Sequence, residues 1–203
     1  MEFLNSGPLK VRPYPSLNCF FRRTLHGVRT IYDHGCGYGA WTNYLSQLSG
    51  ARVTVYDPDI SAAQYTKNLL GDRSMESIGP YDAIMCFAVL ELLTESEQKS
   101  LLLEFRSKTN KLIILYNVYS PLALRWLVIR LLKGDPIEWH EKNRFHRSYL
   151  TARQVESLFI ASGFRIARRC TPAVENHLPR ILNMCLAPLF PISMHSTIYY
   201  ALE

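Results

Sequence analysis

The chain has 203 residues, 48% of them apolar and 20% charged, with 10 Gly and 11 Pro. That mixture excludes a disordered, collagen-like or fibrous chain and fits one globular domain with a substantial core. Lys and Arg outnumber Asp and Glu to give a net charge of +6, which favours anionic partners without requiring one.

The 5 cysteines are Cys19, Cys36, Cys86, Cys170 and Cys185, odd in number and without a C-x-x-C pair. Neither a disulfide framework nor a thiolate metal site is expected, and a reducing, cytoplasmic setting is. The first residues hold no continuous apolar run of the kind an export signal uses. The apolar stretches 121–132 and 178–194 are broken by Arg125, Arg130 and Arg180 and do not reach the roughly 20 apolar residues that span a bilayer.

Strand and helix signals alternate through the first two thirds. After a Pro-rich start, Ser16 is placed to cap a helix over 17–26, and 28–32 reads as a buried strand running into Asp33-His34-Gly35-Cys36-Gly37-Tyr38-Gly39. A helix over 41–48 ends at Gly50, a left-handed stop. The second strand, 52–56, closes on Asp57-Pro58, and a helix runs from Ser61 to Leu70. A weak third strand is expected within 72–78 and a strong one over 81–87. Thr94 and Glu97 form a capping-box pattern for a helix to about residue 109, followed by a strand over 111–116.

In the last third, 121–133 reads as a basic amphipathic helix and 135–146 as a polar, aromatic loop. A helix opening at Thr151 stops at Gly163, and strands follow over 164–169 and 197–202. Parallel strands need crossover connections, and the helical spacing supplies them. The expected fold is α/β: a doubly wound, mostly parallel seven-stranded sheet with helices on both faces and an antiparallel C-terminal edge. One domain over 1–203 is expected, with a cofactor-binding core at 28–117 and substrate-side segments at 118–163 and 170–196.

In such sheets ligands bind beyond the carboxyl ends of the strands. The glycine loop stands at the first such end, and Asp57, at the second, offers a carboxylate able to accept both hydroxyl hydrogens of a ribose. Gly35, Gly37 and Ala40 also satisfy the dinucleotide fingerprint G-x-G-x-x-G/A, so a nicotinamide cofactor fits the glycines equally well. Asp33 tips the balance: a carboxylate beside the loop opposes a diphosphate and favours a cationic ligand.

The run Ile31-Tyr32-Asp33-His34-Gly35-Cys36-Gly37-Tyr38-Gly39 resembles the first motif of class I S-adenosylmethionine-dependent methyltransferases. Val53-Thr54-Val55-Tyr56-Asp57 resembles their second motif, and the segment from Tyr81 to Glu91 their fourth-strand motif. The resemblance extends over about residues 28–170 and implies a Rossmann-like methyltransferase fold binding S-adenosylmethionine and releasing S-adenosylhomocysteine. By position it implies that Gly35, Cys36 and Gly37 lie along the methionine part, with Asp33 supporting its ammonium. Asp57 would hold the ribose, Pro58 would flank the adenine, and Phe87 would line the adenosyl or methionine edge. Asp72 or a backbone carbonyl near it would take the adenine amino group. Leu92 stands where many relatives have His.

Methyl transfer from a sulfonium needs chiefly an aligned nucleophile and a group to take its proton, for which a neutral His suits neutral pH. His146 and His140, in the loop after the fifth strand, are the candidate bases, His146 being preferred because similar methyltransferases often place a His just before the helix that opens at Thr151; His34 is read as structural. No metal is expected. The acceptor is expected to be a hydrophobic or aromatic small molecule methylated on oxygen, with the 121–133 helix either covering it or resting on a membrane surface. Three other readings stay open: an RNA methyltransferase using Arg22, Arg23 and 165–169; a nicotinamide-dependent oxidoreductase; and a non-methylating binder of the same cofactor.

Overall fold

The computed structural model describes residues 15–76, 79–118, 131–132, 148–171 and 197–203. Within them, six strands form one sheet in the order β2-β1-β3-β4-β6-β5: β1 (Thr30–His34), β2 (Arg52–Tyr56), β3 (Ala83–Phe87), β4 (Leu112–Asn117), β5 (Ile166–Cys170) and β6 (Thr197–Leu202). The pairs β1–β2, β1–β3 and β3–β4 are parallel, whereas β6 runs antiparallel to both β4 and β5. The doubly wound, mostly parallel sheet with an antiparallel C-terminal edge is therefore present.

Among the described residues the sheet has six strands, where seven were expected. Of the expected third strand, the described residues 72–76 contribute an isolated parallel bridge between Ser74 and Val53, with the Met75 N–H donating to the Val53 carbonyl at 2.9 Å. Gly71–Arg73 is a short 3-10 turn that closes the preceding helix. β1 also begins two residues later than its apolar signal. The Asp82 carboxylate accepts the N–H groups of Arg29 and Thr30 at 2.8 and 2.9 Å, which fixes the chain at the head of the strand.

Alternation along the strands builds two apolar layers. Ile113 and Leu115 of β4, with Tyr199 and Ala201 of β6, face one way and join Leu17, Phe20 and Phe21 of α1 (Pro15–Thr24) and Leu45 of α2 (Ala40–Ser49). Leu112, Ile114 and Tyr116, with Ile198, Tyr200 and Leu202, face the other way. They meet Leu102 and Phe105 of α4 (Glu95–Lys108) and Val155 and Phe159 of α5 (Ala152–Ala161). Burying side chains of this size contributes about 1.5 to 3 kcal/mol each before the opposing entropy.

Local chemistry sets the helix ends. Pro15, whose missing N–H costs nothing in a first turn, opens α1 in place of a cap at Ser16. Thr94 with Glu97, and Thr151 with Gln154, form reciprocal capping boxes on α4 and α5. Asp59 caps α3 (Ile60–Leu70) by accepting from the N–H groups of Ser61 and Ala62. Gly50 ends α2 at φ 73°, the left-handed stop expected from sequence. The four described cysteines, Cys19, Cys36, Cys86 and Cys170, are free thiols. Among the described residues no helix is long and apolar enough to cross a membrane.

Candidate functional site

The parallel strands β1, β2 and β3 bring three turns together at one edge of the sheet. The turn after β1 is the glycine loop, in which Gly35, Gly37 and Gly39 take φ of 83°, 50° and 75°, backbone that side chains with a Cβ rarely adopt. Gly35 is also needed for close approach, because a Cβ there would collide with the Val89 side chain. At Gly37 a Cβ would meet nothing within 4 Å. The loop is thus crowded at Gly35 and open at Gly37.

The end of β2 holds the loop. The Tyr56 carbonyl accepts from the Gly35 and Cys36 N–H groups at 2.8 and 3.1 Å. One Asp57 carboxylate oxygen accepts from the Gly37 N–H at 2.8 Å, and the other from the Asp59 N–H at 2.9 Å. Asp57 is half-buried, and each of its oxygens keeps acceptor capacity beyond those bonds. The amides of Gly35, Cys36 and Gly37, which a diphosphate would require, are already committed to β2.

Asp33 lies elsewhere than the sequence argument put it. In β1 it alternates with Tyr32 and His34, so its side chain turns into the α2 side of the sheet, 3% exposed, and accepts from the Thr42 hydroxyl at 2.5 Å. Burial pushes its carboxyl up to about 7, with Asp57 adding to the rise and the Thr42 hydrogen bond opposing it. Asp33 therefore braces α2 from beneath the loop and does not present a charge at its mouth. What opposes a diphosphate at the loop is that the Gly35, Cys36 and Gly37 N–H groups already donate to Tyr56 and Asp57.

His34 points to the opposite face. Its ring stacks on Tyr56 at 4.9 Å and meets Phe105 edge-on at 5.2 Å, with its Nδ1 3.2 Å from the Tyr32 hydroxyl. Burial lowers its pKa, and these contacts are those of a packed structural His. Burial pushes the Cys36 thiol up to about 12, far from a reactive thiolate.

Phe87 closes β3 and belongs to an aromatic cluster, with ring centroids 5.6 Å from Trp41, 5.9 Å from Tyr199 and 6.0 Å from Phe21. The next residue, Ala88, takes φ 56°, a strained conformation for a residue with a Cβ. It turns the chain so that Val89 packs on Gly35. Pro58 is exposed beside Asp57, and Asp72 is exposed in the turn after α3. His140 and His146 lie outside the described residues. Among the described residues no group of three or more His, Cys, Asp or Glu side chains converges as a metal site.

Sequence reasoning missed two buried polar side chains near the site, Thr42 and Glu91. Thr42 is a buried hydroxyl in the first turns of α2, on a face that also buries Leu45 and Ser46. Glu91, 1% exposed, accepts from the Asn117 amide, whose oxygen accepts from the Thr197 hydroxyl at 3.0 Å. Its backbone carbonyl accepts from the Ser148 N–H at 3.2 Å. Burial raises the Glu91 carboxyl to about 7, and one of its oxygens has no hydrogen-bond partner among the described residues.

A family model described as a methyltransferase domain matches residues 20–168. No curated protein matches the chain by sequence. Solved structures share the fold. The mitomycin 7-O-methyltransferase matches with a TM-score of 0.60 at 16% identity, over 93% of this chain and 53% of its own. The magnesium protoporphyrin IX methyltransferase of Synechocystis PCC 6803, with bound S-adenosylmethionine, matches with a TM-score of 0.57 at 17% identity, over 93% and 76%. A SAM-dependent methyltransferase from Archaeoglobus fulgidus matches with a TM-score of 0.55 at 18% identity, over 92% and 91%. The chain spans about half the length of the mitomycin enzyme. At these identities the likeness is one of fold.

Proposed function

Because the chain belongs to the methyltransferase-domain family, we propose that it transfers the methyl group of S-adenosylmethionine to a hydrophobic or aromatic small molecule, on oxygen. The observation that carries this reading is the glycine loop, whose first three amides are taken by Tyr56 and Asp57 while its flank at Gly37 stays open. That arrangement fits a nucleoside with an amino-acid tail better than a diphosphate. When bound, S-adenosylmethionine supplies a methyl activated by the sulfonium charge.

The residues present fit this group. Gly35, Cys36 and Gly37 would border its methionine part, and Asp57, with acceptor capacity left on both oxygens, would take the ribose hydroxyls. Pro58 would flank the adenine, Phe87 would line the adenosyl or methionine edge, and Asp72 or a neighbouring carbonyl would accept from the adenine amino group. Asp33 would act on the ammonium through the loop it supports. His146, or else His140, would take the proton of the acceptor hydroxyl.

The substrate side is assigned to 118–163 and 170–196. Small-molecule substrates are named for the mitomycin and protoporphyrin enzymes, which supports the acceptor class. Of the helix expected over 121–133, Leu131 and Leu132 are described, helical and 84% and 72% exposed, apolar surface suited to covering an acceptor or resting on a membrane. The test is transfer of a labelled methyl from S-adenosylmethionine to hydroxylated aromatic acceptors. Label in the organic product supports the reading, and label entering RNA alone would overturn the acceptor class.

A further inference from the structure

Thr66 of α3 is fully buried, and its hydroxyl donates to the Gly37 carbonyl at 2.8 Å. The Gly37 N–H, on the other side of the same Cα, donates to Asp57. Both peptide planes flanking Gly37 are therefore held by side chains from outside the loop. Gly37 is the position that most needs holding: it sits at φ 50°, and beyond its own chain neighbours nothing lies within 4 Å of where its Cβ would be. A glycine without neighbours loses more conformational freedom on being fixed than any other residue. Thr66 also limits the loop at its far end, since a Cβ on Gly39 would come within 2.8 Å of its side-chain atoms.

We infer that Thr66 is a positioning residue for the cofactor site: through the Gly37 peptide it fixes the orientation of the Asp57 carboxylate, so that α3 sets cofactor affinity without touching the ligand. The consequence is preorganisation, with the loop ordered before binding rather than at its expense. This inference rests on the methyltransferase reading, because the ligand concerned is that reading's cofactor. Thr66 lies nine positions beyond Asp57 in sequence, on a helix otherwise occupied with packing and capping.

Calorimetric titration of the full chain with S-adenosylhomocysteine tests it, using Thr66→Val, Thr66→Ser, Asp57→Asn and the double variant Thr66→Val/Asp57→Asn. Thr66→Val keeps the shape and removes the donor, and is expected to weaken binding about tenfold, while Thr66→Ser stays within about twofold of the parent. If Thr66 works through Asp57, the double variant loses less than the two single losses combined. Equal affinity of Thr66→Val and the parent would overturn the inference, as would strictly additive losses or a loss in Thr66→Ser as large as in Thr66→Val. Should Thr66→Val fail to fold, Thr66→Ala measured in the same cycle gives the same coupling. Failure of the parent chain itself to bind S-adenosylhomocysteine would instead overturn the methyltransferase reading.

Discussion

Gly37 and Asp57, twenty positions apart, are joined by a 2.8 Å hydrogen bond from the glycine N–H to the aspartate carboxylate, which ties the first crossover of the sheet to the end of the second strand. One side chain thereby shapes the loop and, in the proposed site, would also accept from the ribose. Asp57→Ala removes both functions, and the affinity for S-adenosylhomocysteine is expected to fall at least tenfold. Unchanged binding in a calorimetric titration would remove Asp57 from the site.

The buried acid beneath the loop has a signature in pH. The Asp33 carboxyl is raised to about 7, chiefly by burial and then by the Asp57 charge, so the folded chain holds that proton more tightly than the unfolded chain. Its contribution to stability is complete below the ordinary aspartate range and is lost as pH rises towards about 7, with no further change above. Glu91, also raised to about 7 by burial, acts in the same direction and window. Asp33→Asn, which still accepts from Thr42, is expected to flatten the fall in unfolding free energy between about pH 4 and about pH 7. Denaturant melts across that range check it, and an unaltered slope would contradict it.

Glu91 joins the ends of β3 and β4 through Asn117, and through Asn117 the start of β6 at Thr197. Glu91→Ala leaves the Asn117 amide without its acceptor and opens a cavity. Each buried polar group left unsatisfied costs about 1 to 3 kcal/mol, so a loss of at least that size is expected in the unfolding free energy at neutral pH. Stability equal to the parent would show that the pair is dispensable.

His146→Ala is expected to slow methyl transfer by about a hundredfold or more while leaving S-adenosylhomocysteine affinity intact. His140→Ala, measured in parallel, distinguishes the two candidates: the variant with the larger fall in kcat identifies the base, and turnover equal to the parent in both would exclude both from that role.

Much of the fold was legible because strong local signals agreed with the global arrangement. The β2 strand at Arg52–Tyr56 and the β6 strand at Thr197–Leu202 stand where their apolar runs put them, and the Thr94–Glu97 capping box forms as the sequence spells it. Asp33 and His34 extend β1 past its apolar stretch, and polar residues at a strand end carry no sign that separates strand from loop. The orientation of Asp33 followed from its parity with Ile31, which places both on the α2 face. A shift of the strand by two residues preserves that parity, so the inward turn was available from alternation, but the charge argument treated the residue as part of the loop. The Thr42, Thr66 and Glu91 partnerships depend on long-range packing that no spacing rule encodes.

Separate calorimetric titrations with S-adenosylhomocysteine and with NADH test the central claim most directly. The committed amides of Gly35, Cys36 and Gly37, with the open flank at Gly37 beside Asp57, predict saturable binding of S-adenosylhomocysteine and none of NADH. Tight NADH binding with no heat from S-adenosylhomocysteine would contradict the account.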